Sequence, residues 1–140
     1  MNVYFACSIT GGRDDQVVYK YIVDALLDDD HHVPTALLAT SEVIKLEEII
    51  DPVEVYQRDV DWIEACDLLV AEISTPSHGV GYEIGHALGL GKPVLCLHRR
   101  GIKVSKMISG NQDPNMDVLA YDTPDDAVHM VRAFIEKVIV

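Results

Sequence analysis

The segment Ser77-His78-Gly79-Val80-Gly81-Tyr82-Glu83-Ile84-Gly85 sets one carboxylate among glycines, directly after a hydroxyl-bearing stretch. Gly81, Gly85 and Gly89 recur every fourth residue, a stripe of small residues that lets a helix lie close to a sheet. With a helix expected over residues 81–89, Glu83 falls in its first turn, where the helix dipole keeps a carboxylate ionised. The plainer alternative is an ordinary glutamate at a helix start. A second acid, Asp59, belongs to a stripe of Val55, Asp59, Trp62 and Cys66, the spacing of one helix face. An aspartate among apolar neighbours is costly unless it is paired or used. Desolvation there raises a carboxyl pKa and suits the group to giving up a proton. Two acids in unequal surroundings suit glycosyl chemistry: one traps or stabilises an oxocarbenium carbon while the other manages the proton.

The run Ser8-Ile9-Thr10-Gly11-Gly12-Arg13 is the second feature. Two adjacent glycines remove Cβ atoms, so backbone N–H groups can close around an anion at a helix start, with hydroxyls and a guanidinium as further donors. The run equally suits a tight strand-to-helix turn, and it is neither a Walker A sequence nor G-x-G-x-x-G. Arg99, Arg100, Lys103 and Lys106 place four of the 11 basic residues within eight positions, either a solubilising loop or a counterweight for an anionic substrate. No H-E-x-x-H, closed Cys/His set or G-x-S-x-G occurs, so neither a metal centre nor a serine hydrolase is expected. Asp28-Asp29-Asp30-His31-His32 reads as a solvated helix end rather than a metal site. His86, three residues after Glu83, is expected on a helix surface. Cys7, Cys66 and Cys96 are odd in number and far apart, which fits no disulfide framework or zinc pattern. Cys66 and Cys96 are expected to be buried and inert, while Cys7 stands beside the glycine-rich turn.

These groups need a frame. Apolar runs at residues 3–6, 68–73, 93–97 and 118–121 read as strands, with residues 33–36 a weaker fifth. Helical patterns over residues 17–27, 52–65, 81–89 and 123–139 alternate with them; Pro52 suits a first turn and Thr123 an N-cap. Residues 37–50 support no assignment. Strands that are apolar throughout, alternating with helices, indicate a parallel sheet covered on both faces. The expectation is one α/β domain over residues 1–140, a flavodoxin-like three-layer sandwich with a five-stranded parallel sheet. Ligands of such folds bind at the carboxyl ends of the strands, so the loops at 8–13, 74–83 and 98–109 should carry the site.

Composition narrows the partners. A chain of 140 residues, 49% hydrophobic and 24% charged, is globular and long enough for one core. Lys plus Arg total 11 against 23 Asp plus Glu, and a net charge of −12 repels nucleic acid and anionic membranes. No apolar run approaches the roughly 18 to 20 residues that span a bilayer, and the start lacks a basic, cleavable leader. A soluble cytoplasmic domain is expected.

Taken together, several stretches resemble the nucleoside 2-deoxyribosyltransferase superfamily, and its nucleotide-hydrolysing members most of all. They are Tyr4-Phe5-Ala6-Cys7-Ser8-Ile9-Thr10-Gly11-Gly12-Arg13, Asp59-x-x-Trp62, Asp67-Leu68-Leu69-Val70-Ala71-Glu72, Pro76-Ser77-x-Gly79-Val80-Gly81-Tyr82-Glu83-Ile84-Gly85 and Gly91-Lys92-Pro93-Val94-Leu95-Cys96-Leu97. The resemblance covers nearly the whole chain. It implies hydrolysis of a nucleoside 5'-monophosphate to free base and (deoxy)ribose 5-phosphate, without metal or organic cofactor. Glu83 would be the nucleophile on C1', Asp59 would handle the leaving group, and Tyr4 would line the reacting centre. Ser8, Ile9, Thr10, Gly12, Arg13, Ser77 and Gly79 would surround the phosphate or sugar. Ser105, and with it Met107, would come from a neighbouring subunit, which implies a homodimer with shared sites. The hydrolases carry an arginine where this chain has Thr10, so Arg13 or the basic cluster would have to replace one phosphate contact. Two alternatives remain at this point: a transferase that moves the sugar between bases, and a nucleotide-binding protein without turnover.

Overall fold

In the computed structural model, which describes residues 1–9, 15–39 and 50–140, four parallel strands form one sheet in the order β1-β2-β3-β4. They are β1 (Val3–Ala6), β2 (Leu68–Glu72), β3 (Val94–Arg99) and β4 (Met116–Tyr121). Every residue of β1 and β2 is buried, Glu72 included, as expected of strands covered on both faces. Around them stand α1 (Gln16–Asp28), α2 (Pro52–Ala65), α3 (His78–Gly89), the single turn α4 (Lys106–Ser109) and α5 (Pro124–Ile139).

The fifth strand expected at residues 33–36 is absent from the described residues, and Pro34 supplies the reason. A parallel ladder does begin outside β1: the His32 N–H donates to Met1 O at 2.9 Å and the Val3 N–H to His32 O at 2.8 Å. The next donor in that ladder belongs to residue 34, and proline has none. Pairing therefore stops at a single Asn2–His32 bridge, and Ala36–Ala39 turns into a 3₁₀ helix. The Phe5 N–H, which would have bonded to the missing strand, donates to the Thr35 hydroxyl at 3.0 Å instead.

Alternation along the strands divides the core in two. Val3, Phe5, Val70, Leu95 and Leu97 pack with Tyr19, Ile22 and Leu26 of α1 and Val131 and Phe134 of α5. Tyr4, Ala6, Leu69, Ala71 and Cys96 pack on the other face with Ile63 of α2 and Val80, Ile84 and Ala87 of α3. The three-layer order follows. Because the chain passes first to one side of β1 and then returns to place β2 on the other, the crevice lies at the carboxyl ends of β1 and β2.

Local chemistry sets the helix starts. Asp51 accepts from the Val53 N–H at 2.8 Å ahead of Pro52, and Thr123 and Asp126 form a reciprocal capping box ahead of Pro124. At the far end of α2, Lys92 donates to the carbonyls of Glu64 (2.9 Å) and Cys66 (2.8 Å), tying that helix to the start of β3. The three cysteines are buried; burial pushes the Cys66 thiol up and that of Cys96 up to about 12. In the acidic segment after α1, Asp29 is taken by Arg132 at 2.7 Å. No helix among the described residues is long and apolar enough to cross a membrane.

Candidate active site

α3 begins at His78, three residues before the sequence pattern placed it, because the Ser77 hydroxyl caps it by accepting from the Val80 N–H at 3.3 Å. Glu83 consequently sits in the second turn rather than the first. One of its oxygens is held from the sheet: the Tyr4 hydroxyl, on β1, donates to Glu83 Oε2. Tyr4 is fully buried on the α2/α3 face. Burial, the charges of Glu83 and Asp59, and the bond to Glu83 all push its phenol well above the ordinary range. Tyr4 is thus a neutral donor, which fixes one oxygen of Glu83 and cannot act as a base.

Gly79, one turn earlier on α3, leaves the space in front of the other oxygen. A Cβ at Gly79 would stand 3.8 Å from Glu83 Oε1 and 3.8 Å from Ser77 Oγ. The glycine therefore lies between the capping hydroxyl and the carboxylate, and a ligand can approach both at once. From α2, Asp59 faces the same space, half-buried, with Arg58 Nε at 2.9 Å from its Oδ1. The Arg58 guanidinium rests 5.0 Å above the Trp62 ring. The cavity bounded by Asp59, Gly79, Glu83, Val60, Ile63 and the rings of Tyr56 and Tyr82 measures about 290 Å³. That is near the lower limit for small-molecule sites, a volume that suits a sugar-sized group.

Of the residues singled out in the sequence, Tyr4, Asp59, Gly79 and Glu83 converge here, with Ser77 alongside. Ser105 and Met107 do not. With Ser77 they line a separate cavity of about 470 Å³ on the other flank of α3, where Ser105 caps α4 by accepting from the Met107 N–H at 3.2 Å. Ser8 is buried at the end of β1, and Ile9 packs against the α1/α5 core rather than the Glu83 cavity. Thr10, Gly12 and Arg13 lie outside the described residues. His86 stacks on Tyr82, with ring centres 6.2 Å apart and planes 12° apart. Among the described residues, no group of three His, Cys, Asp or Glu side chains could hold a metal ion.

Some polar residues escaped the sequence reading. Tyr56 precedes Asp59 by one helical turn and meets Tyr82 edge to face at 6.2 Å; that i, i+3 spacing was the available signal. Glu72, read as part of an apolar strand, is a fully buried carboxylate. It accepts from the Ser74 N–H (2.6 Å), the Ser74 hydroxyl (3.0 Å) and the Tyr121 hydroxyl (2.5 Å). Burial raises its pKa against the lowering effect of those bonds. An acid inside an otherwise apolar strand was the visible clue.

Gly79→Ala tests the geometry. Gly79 has no positive φ, and 3.8 Å is ordinary contact, so the variant should keep its melting temperature or gain slightly from the better helix former. Its methyl group nonetheless occupies the space between Ser77 and Glu83. Catalytic efficiency should fall by roughly a hundredfold, as for an ångström-scale displacement of a bound substrate, in steady-state assays beside a thermal melt.

Residues 3–121 match the family described as nucleoside 2-deoxyribosyltransferase. The chain is 42% identical over 116 residues to the 5-hydroxymethyl-dUMP N-hydrolase of Rattus norvegicus, covering 80% of this chain and 71% of that protein. The 5-hydroxymethyl-dUMP N-hydrolase of Danio rerio is 40% identical over 112 residues, covering 79% and 78%. Among solved structures, the Clostridium botulinum CMP N-glycosidase superposes with a TM-score of 0.72 at 19% identity, over 94% of this chain and 98% of the other, a likeness of fold.

Proposed function

The chain belongs to the nucleoside 2-deoxyribosyltransferase family, and from that membership and the setting of Glu83 we propose that it hydrolyses the N-glycosidic bond of (deoxy)nucleoside 5'-monophosphates. The observation that carries the reading is the bond from buried Tyr4 to one oxygen of Glu83, with the other oxygen turned to Gly79 at a cavity that Asp59 shares. Relatives identical to it at about two-fifths of the aligned positions are named for the hydrolysis of a deoxynucleotide, which supports the same reaction here.

In this reading Glu83 Oε1 attacks C1' of the sugar as the bond to the base breaks. The departing base takes up a proton at Asp59 and leaves past the rings of Tyr56 and Tyr82. Water then cleaves the Glu83–sugar ester, its proton returns to Asp59, and free base and (deoxy)ribose 5-phosphate are released. One water is consumed, and no step calls for a metal or cofactor. Tyr4 holds Glu83 in line throughout. The phosphate lies toward Ser77 and the loop that begins at Ser8, with Thr10, Gly12 and Arg13 of that loop as its further partners.

The same reading includes a homodimer with shared sites. Ser105 and Met107 do not border their own chain's Glu83 cavity, yet both are exposed, Met107 to 85%, as suits residues that serve a second copy. Mixing Glu83→Gln chains with Ser105→Ala chains should regenerate some intact sites and recover activity above either parent. No recovery in a verified heterodimer would remove Ser105 from the partner's site.

The decisive assay offers ribo- and deoxyribonucleoside 5'-monophosphates, and the matching unphosphorylated nucleosides, with and without an acceptor base, and scores free base by chromatography. Release of base from a monophosphate without an acceptor is the expected result. Exchange of bases on an unphosphorylated nucleoside would instead assign sugar transfer.

A further inference from the structure

Asp15 occupies the N-cap position of α1, and aspartate is among the best residues there, yet its side chain makes no capping bond. The carboxylate is 4% exposed and spent elsewhere. Its Oδ1 pairs with Arg99 Nη1 at the end of β3, and its Oδ2 accepts from the Thr75 hydroxyl at 3.1 Å. The Arg99 N–H donates to the Ser74 hydroxyl at 2.9 Å, and Ser74 in turn donates to buried Glu72, which Tyr121 of β4 also holds. One connected set of polar groups thus joins the start of α1, the loop after β2 and the carboxyl ends of β3 and β4. A residue that forgoes its local bond for distant ones marks a place where something besides helix stability sets the arrangement.

What these bonds join is specific. Asp15 opens α1, and Thr75 lies two residues before Ser77. We propose that Asp15, Arg99 and Thr75 form a clamp that fixes the start of α1 relative to the segment after β2, and that Asp15 and Arg99 are positioning residues for recognition of the substrate's 5'-phosphate. This rests on the nucleotide-hydrolase reading, in which that phosphate lies toward Ser8 and Ser77. Arg99 also cancels the charge of a buried carboxylate that would otherwise repel a phosphate dianion. Its Lys/Arg neighbours are placed differently: Arg100 pairs with Asp122 at 2.7 Å, and Lys103 lines the cavity of Ser105.

The experiment compares a deoxynucleoside 5'-monophosphate with its unphosphorylated nucleoside, both as kcat/KM and as Kd by calorimetry. Arg99→Gln and Asp15→Asn should each cut the preference for the monophosphate at least tenfold, and the double variant should fall no further than Arg99→Gln alone, as for two groups acting as one unit. Thr75→Val, a mild change at a half-buried hydroxyl, should move the preference the same way by about threefold, which keeps the test alive if a charge variant fails to fold. A purely structural role would weaken both ligands equally and leave the ratio unmoved; that result, or full additivity, overturns the clamp. If the wild-type chain turns over neither compound, the hydrolase reading fails, and the Kd ratio alone then decides the clamp: an unchanged ratio, or no preference in the wild type, rejects it.

Discussion

Glu83→Gln should leave the chain folded and still able to bind nucleotide while release of free base falls by about 10⁴-fold or more. The amide has the shape of the carboxylate, and its oxygen can still accept from Tyr4, so the buried hydroxyl keeps its partner and the α2/α3 core keeps its packing. What is lost is the negative charge that the proposed attack on C1' requires, and removal of a covalent nucleophile costs orders of magnitude in kcat with little change in ground-state binding. Circular dichroism and calorimetry establish the fold and the affinity; single-turnover chromatography measures the chemistry. A variant that still releases base within tenfold of the wild-type rate would reduce Glu83 to a structural partner of Tyr4. Affinity without turnover in the wild type itself would instead identify a binding protein.

Asp59→Asn is expected to have the next largest effect, a loss of roughly 10²- to 10³-fold in kcat, the range for removal of a general acid or base. The loss should depend on the departing base. Bases that leave readily as anions need little help with a proton and should suffer least; poor leaving groups should suffer most. Stability should barely change, because Arg58 keeps its place over Trp62, and a partly exposed ion pair such as that of Arg58 and Asp59 is worth about 1 kcal/mol or less. A uniform loss across all bases would assign Asp59 to orientation of the sugar and take the proton away from it.

Strands β2 and β3 and helices α2 and α5 were legible in the sequence because the physics that forms them is local. Leu68 to Val70 and Val94 to Leu97 are apolar without a break, and Pro52 and Thr123 announce helix starts. Pro34 was equally visible, but residues 33–36 are apolar enough to pass for a strand, and only the ladder outside β1 shows which donor is missing. The start of α3 was misplaced for a related reason. Gly79 and Gly81 look like loop residues until the Ser77 hydroxyl is seen capping the turn that contains them.

The site divides along the same line. Glu83 and Asp59 were recognisable as chemistry-bearing residues by type and by neighbours. Their partners were not, because Tyr4 and Glu83 are 79 positions apart and only the sheet brings them together. The Asp15–Arg99 pair is the extreme case: in the sequence one member belonged to a basic cluster and the other to nothing. A resemblance spread over several motifs supplied the expected roles where spacing within any one segment could not.

The three sealed thiols make the molecule its own gauge of breathing. Cys96 lies in the middle of the sheet, Cys66 at the end of α2 and Cys7 just past β1, so alkylation at each reads the opening of a different region. Nothing need be engineered into the chain to time those openings, with and without nucleotide present. The region whose labelling slows most on addition of ligand would be the one that the ligand holds shut.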